Sequence, residues 1–335
     1  MKKRRLALLA LVTLGLAPGT LVRTTIPEMA DGDLSLTPVT ELPAARSHHG
    51  VTREGVWELD STRLDFGGYS AMLVLRDGQV LRAFSDRGRR LTFAAPFGTY
   101  PQEPRFASVW NRGRLSNTFA DIEAATRDPE TGDYWLTFEN THSLTRYSVS
   151  SDFEELAQPP EWQGWNSNSG AEALERLPDG RFLVLPENGK TGLLYPSDPV
   201  AGGEPLVFTP RMPEGYYPTD MAALPDGRVL VLLRNVVRAL PPFSSALAIA
   251  SPDTLAESGD TLELEQILLL ETILPRENYE ALAVAEVKED GSVDLWLMSD
   301  DNLSAIQRSL LARINWREVT AEAQTASAQQ KAREE

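Results

Sequence analysis

Residues 170–188 read "GAEALERLPDGRFLVLPEN". An acid, Glu172, opens a short apolar run, an Asp-Gly pair at 179–180 interrupts it, and a second strand-like run ends at another acid, Glu187. Asp-Gly between two apolar runs is a β-hairpin signal, because the turn needs backbone angles that glycine adopts at no steric cost. One such hairpin fits many folds. The fold is decided by recurrence.

The same grammar appears in "GGYSAMLVLRDGQVLRAFSDRG" (67–88), "ADIEAATRDPETGDYWLTFEN" (120–140), "PTDMAALPDGRVLVLLRN" (218–235) and "NYEALAVAEVKEDGSVDLWLMSDDN" (278–302). Aligning Ser70, Glu123, Glu172, Asp220 and Glu280 gives intervals of 53, 49, 48 and 60 residues, the scale of a β-propeller blade rather than of a helical repeat. A third apolar run follows most polar clusters, as in "SLTRYSV", "TGLLYPS", "SALAIAS" and "SLLARINW". Three or four antiparallel strands per unit predict an all-β propeller. The roughly 310 residues after the N-terminal segment suggest six blades at this repeat length. Five units are visible, so the sixth is inferred, and a five-bladed ring is the alternative. "TREGVWEL", near residue 55, reads as a strand that helps to close the ring.

In an antiparallel hairpin the start of the first strand and the end of the second lie together, opposite the turn. Glu123 with Glu139, Glu172 with Glu187, Asp220 with Arg234, Glu280 with Asp300 and Asp301, and Ser70 with Asp86 and Arg87 are therefore expected on one rim. Rotation about a shared axis gathers those rims at one mouth of the channel. Two carboxylates about 4 Å apart repel by roughly 4 kcal/mol at a surface-like dielectric. Raised carboxylate pKa values, pairing with Arg87 and Arg234, or a divalent cation would offset that repulsion. Oxygen-only donors point to Ca²⁺ or Mg²⁺ rather than zinc.

Composition narrows the chemistry. The chain has 335 residues and no cysteine, which excludes disulfides, thiolate metal sites and cysteine nucleophiles. No organic cofactor is expected, and no phosphate-cradling glycine-rich loop or Gly-x-Ser-x-Gly elbow is present. Only His48, His49 and His142 could serve a Ser-His-Asp triad; His142, in "ENTHSLTRY", follows a motif acid. "MKKRRLALLALVTLGLAPG" places a basic cluster before an apolar stretch shorter than a membrane span, as in an export signal. An uncleaved N-terminal anchor is the alternative, and a periplasmic or secreted location is expected either way. Without residues 1–20 the chain carries 28 basic against 48 acidic residues, a net charge of −20. Such a body repels nucleic acid and anionic membranes. The expected organisation is a signal over 1–22, a lead-in arm over 23–50, the propeller over 51–317 and a polar tail over 318–335. The loop-like stretches 101–117 and 159–170 lie between blades, with Trp162 and Trp165 read as packing residues and, as the alternative, as the edge of a ligand site.

"FSDRG", "DIEAA", "GAEAL", "LPDGRFLVLPEN", "PTDMAALPDGRVLVLLRN", "NYEALA" and "LWLMSDDN" resemble the phytase-like family, also described by an esterase-like activity of phytase. The resemblance spans roughly residues 50 to 316. "DIEAA" and "GAEAL" carry alanine where the family has glycine. The resemblance implies export and hydrolysis of phosphoesters or carboxylesters, with a small anionic ester as substrate. On the motif positions it implies Glu123, Glu172, Glu280 and Asp300 as catalytic candidates and Arg87, Arg234 and Asn302 as substrate-binding candidates. Asp86, Asp121, Glu139, Glu187, Asp220 and Asp301 are the candidate cation ligands. A non-catalytic propeller binding a ligand or partner at the mouth, and a lactone or sugar-ester hydrolase, are the competing readings.

Overall fold

A computed structural model describes residues 33–109, 121–150, 153–165 and 170–318. The segment read as a signal, and all but the first residue of the polar tail, lie outside the described residues. Five antiparallel sheets follow one another along the chain. The first blade comprises Tyr69–Leu75, Val80–Ser85, Arg89–Ala94 and Arg105–Ser108. The second comprises Ile122–Arg127, Tyr134–Phe138, Ser143–Ser148 and Phe153–Ala157. The third has Ala171–Arg176, Phe182–Pro186, Gly192–Tyr195 and Leu206–Arg211, with Thr261–Glu263 added in parallel at its outer edge. Tyr217–Ala223, Val229–Val236, Phe243–Ala250 and Glu265–Leu269 make the fourth. In the fifth, Tyr279–Val287, Val293–Ser299 and Leu310–Trp316 are completed by Val51–Ser61 from the opposite end of the chain.

Among the described residues the propeller has five blades, and the expected sixth is not found. The "TREGVWEL" strand supplies the fourth strand of the fifth blade, pairing antiparallel with Leu310–Trp316, so it closes the ring without opening a new unit. Leu34–Pro38, within the lead-in arm, pairs on its outer side. Dividing chain length by repeat length overcounted because both ends of the chain were assigned to the ring. The stretch "PQEPRFASVW", read as a loop, contains the outer strand of the first blade, Arg105–Ser108.

The local reasons for these elements are visible in every unit. The turn between the first and second strands carries a glycine at positive φ, at Gly78, Gly132, Gly180, Gly227 and Gly291, with φ between 78° and 93°; a residue with a Cβ is strained there. The second strands are buried on both faces, because each blade is sandwiched between two others. Leu183 and Leu185 face the fourth blade beside Val229, Val231 and Leu233, whereas Phe182 and Val184 face the second beside Trp135 and Leu144. Period-two alternation of side chains thus serves two interfaces from one strand. Trp296 and Met298 of the fifth blade pack with Met72, Leu81 and Ala83 of the first, which closes the circle with the same apolar chemistry. Each fully buried aliphatic side chain contributes on the order of 1.5–3 kcal/mol, so five interfaces of this kind hold the ring without disulfides.

The inner strands contact one another in cyclic order around the axis. Alanines at 71, 124, 125, 173, 222 and 281, all buried, keep those strands slim where a five-membered ring crowds them. Each inner strand breaks its register with the second strand near its first residues: between Tyr69 and Ala71, Ile122 and Ala125, Ala171 and Ala173, Pro218 and Asp220, and Tyr279 and Ala281. A bulge inserts one unpaired residue and re-aims its side chain. The inserted positions hold Ser70, Glu123, Glu172, Thr219 and Glu280.

Candidate active site

Four of the five bulges thus coincide with the residues that the repeat alignment singled out. The fourth blade differs. Thr219, not Asp220, occupies its bulge, and Asp220 falls one residue out of phase. Its carboxylate is fully buried and accepts the Leu282 amide at 2.7 Å and the Met221 amide at 2.9 Å. Burial, opposed by those two amides, holds it well above the usual carboxylate range, and the nearest acid acting on it is Glu175, deeper in the channel. Asp220 is therefore an inter-blade clasp and not a mouth ligand, which corrects its expected place. In a strand a shift of one residue turns a side chain to the other face.

The remaining rim residues converge. One carboxylate oxygen each from Asp121, Glu123 and Glu139 lie within 4.8 Å of one another, and the same holds for Glu139, Glu172 and Glu187. Glu139 belongs to both groups, so blades two and three present a continuous string of five acids. Arg234, from the fourth blade, enters this string. Its Nη1 donates to Glu280 and, at 3.2 Å, to Asn278 Oδ1, and its Nη2 lies 3.8 Å from Glu187 Oε1. Asn278 Nδ2 donates to Glu280 Oε1 at 2.8 Å. Burial disfavours the arginine's charge, but Glu280, Glu172, Glu187 and Glu123 together hold its pKa above the ordinary value.

The acids report the same crowding from the other side. Burial, then Glu172, Glu280, Asp121 and Glu139, push Glu123 well up. Glu172 is also raised by burial, with Arg234 opposing and Glu187 and Glu280 adding to the rise. Glu139 is lifted to about 7 by burial and Asp121. Asp300, nearly buried, is held well above its usual range by burial, Glu280 and Asp86. Raised pKa values alone do not discharge this cup at alkaline pH. The all-oxygen donor set, with separations that two ligands of one ion can span, suits a hard divalent cation such as Ca²⁺.

Other expected residues hold different places. Asp301 spends its carboxylate on the Gly68 amide at 3.0 Å, the Leu303 amide at 2.9 Å and the Ser309 hydroxyl at 3.0 Å, tying the fifth blade to the first. Asn302 is exposed and donates to Gln307 at 2.8 Å. Arg87 is half-buried in the mouth-side turn after Val80–Ser85 and pairs with none of the described residues. Asp86 is close enough to Asp300 to raise it. His142 caps the short turn Glu139–Thr141 at φ 43°, its ring 6.4 Å from Trp165. Trp162 is fully buried and stacks on Trp165 at 5.3 Å, as the packing reading expected.

Of the residues two before four of the bulges, sequence reasoning named Asp121 and missed Gly68, Gly170 and Asn278. Gly68, Asp121, Gly170 and Asn278 each offer a carbonyl to the backbone amide that ends the second strand, at Asp86, Glu139, Glu187 and Asp300 respectively. All four are turn-forming residue types, which is the signal that could have found them. Gly170 also makes room for an acid: a Cβ there would lie 2.6 Å from Glu139 Cγ and 3.0 Å from its Cα. Gly170 N donates to Glu139 Oε1 at 3.3 Å. Gly170→Ala should therefore displace the Glu139 turn and cost about 1–3 kcal/mol, read as a lower urea midpoint at unchanged slope. An unchanged midpoint would show that Glu139 yields freely.

Residues 64–303 match the Phytase-like family, described as esterase-like activity of phytase. In structure the chain is similar to Kuenenia stuttgartiensis hydrazine synthase, with TM-score 0.42 and 12% sequence identity, over 78% of this chain and 66% of that one. It is also similar to Kluyvelomyces marxianus Hsv2, with TM-score 0.34 and 7% identity, over 65% of this chain and 66% of that one. The chain thus spans just under two thirds of the length of those two proteins. Among curated proteins, none matches the sequence.

Proposed function

This chain belongs to the phytase-like family, described by the esterase-like activity of phytase, and on that premise we propose that it is an exported hydrolase of phosphoesters or related esters whose acidic channel mouth holds Ca²⁺. One observation carries the reading: Asp121, Glu123 and Glu139, and likewise Glu139, Glu172 and Glu187, bring carboxylate oxygens from separate parts of the chain within 4.8 Å of one another. Either trio would hold an ion, with Glu139 common to both. When bound, Ca²⁺ neutralises the cup and polarises an ester oxygen.

The chain's other groups take complementary parts. Asp300 belongs to neither ligand group, and burial with Glu280 and Asp86 beside it raises its pKa and so favours its protonated form. In this reading Asp300 gives a proton to the leaving-group oxygen. Arg87, uncommitted among the described residues, is available to pair with an anionic ester. Arg234 is hydrogen-bonded to Glu280 and Asn278 and ion-paired with Glu187, so its part is to position Glu280 and to limit repulsion across the mouth. The basic and apolar N-terminus supports export to the periplasm or the medium.

The test is turnover of p-nitrophenyl phosphate, phytate, p-nitrophenyl acetate and a simple lactone in Ca²⁺ and in chelator. Ca²⁺-dependent hydrolysis of a phosphoester or carboxylester is expected. Asp300→Asn and Glu172→Gln should each lower kcat/KM by about 100-fold or more. Ca²⁺ binding without turnover of any of these esters would instead identify a ligand-binding propeller, and turnover confined to the lactone would move the substrate class.

A further inference from the structure

At the end of the channel opposite the acidic mouth, the inner strands of all five blades and the turns that follow them enclose a cavity of about 460 Å³. That volume falls within the range of small-molecule sites, roughly 300–1,000 Å³. Its walls are largely apolar, with the partly exposed Ala223, Ala283 and Val284 among them. The polar groups on the lining are mostly spent. Glu175 accepts the Ala223 amide at 2.9 Å and the Thr126 hydroxyl at 2.8 Å, bridging three blades. Arg176 pairs with Asp128 at 3.3 Å, and Asp128 also accepts the Glu130 amide at 2.8 Å. Asp77 is exposed at the rim.

Arg127 is the exception. It lines the cavity half-buried, and among the described residues it has neither a hydrogen bond nor an ion pair. Burial lowers its pKa below that of an ordinary arginine, and Asp77 and Asp128 only partly restore it. A guanidinium presents five donors in a planar fork that matches a carboxylate. Leaving it partly desolvated and unpaired is unfavourable, and a ligand that supplies the missing acceptor recovers that energy. The acidic mouth, by contrast, repels a free anion in the absence of a cation.

We propose that this cavity is a second ligand site, separate from the mouth, that takes an aliphatic monocarboxylate, with its carboxylate on Arg127 and its chain between Ala223, Ala283 and Val284. The inference stands on the cavity and does not require the mouth to be catalytic.

Calorimetric titration of the protein with hexanoate, octanoate, decanoate, octanol and octylamine tests it. One site should bind octanoate, with affinity that rises with chain length and then falls once the cavity is full. Octanol and octylamine should bind at least about tenfold more weakly, since a charged hydrogen-bonded pair is lost. Arg127→Gln should lose a similar factor, and Ala223→Phe, which projects into the cavity, should abolish binding. Chelator and excess Ca²⁺ should leave octanoate affinity unchanged. Absence of octanoate binding, equal binding of octanol, full affinity in Arg127→Gln or a dependence on Ca²⁺ would overturn the proposal. If either variant fails to fold, the ligand series on the unaltered protein still decides.

Discussion

Replacing Arg234 with methionine is expected to cost about 3–5 kcal/mol of folding stability at pH 8 in chelator, the range for removing one partner of a buried ion pair. That corresponds to a fall in melting temperature on the order of 10 °C for a chain of this size. The reason is local. Glu280 and Glu187 lose their counter-ion directly, and Glu172 and Glu123 lose the charge that offsets their crowding. Methionine retains most of the side-chain volume, so the loss reports charge rather than a cavity. The penalty should shrink at pH 5, where more of the rim is protonated. Adding Glu280→Gln to Arg234→Met should recover part of it, because one of the orphaned charges is then gone. A melting temperature within a degree or two of the unaltered protein at pH 8 would show that the arginine does not hold the mouth together.

A second large effect is a stability profile that falls with rising pH. Glu139 and Glu175 titrate at about 7 in the folded protein, and Glu123, Glu172, Glu187 and Asp300 are raised as well. Unfolded carboxylates titrate near 4 to 4.5, roughly. Between those values the folded state binds more protons than the unfolded state, so stability declines as pH increases. In chelator the melting temperature should therefore drop from pH 5 to pH 8. The lowered carboxylates, among them Asp179, Asp226 and Asp294, titrate below that window and govern only the acid limb. Ca²⁺ added at pH 8 should reverse the decline, by about 2.7 kcal/mol at a hundred times its dissociation constant. A profile that is flat or rising from pH 5 to pH 8 in chelator would remove the crowded cup from the account.

Much of this architecture was legible in the chain. Each hairpin announces itself through a turn glycine between two apolar runs, and the acids at both ends of each hairpin must share a rim because antiparallel pairing leaves no other arrangement. That logic placed Glu123, Glu139, Glu172, Glu187 and Glu280 at one mouth. It failed at Asp220, where an acid stands at the expected interval but the bulge falls on Thr219. Spacing along a strand does not reveal which residue the backbone leaves unpaired. It failed also for Asn278 and Gly170, whose roles are a hydrogen bond to a distant blade and room for a distant side chain.

Local sequence determined the hairpins, their polarity and the chemistry of the rim, since these depend on contacts within some twenty residues. Ring closure decided the rest. Only the tertiary structure shows that five blades suffice, because the strand that completes the last one comes from the other end of the chain. Only there does Arg234 meet four glutamates from three other blades, and only there does Arg127 line an apolar cavity with no side-chain partner among the described residues. Interactions across blades arise from rotation about an axis that no single segment encodes.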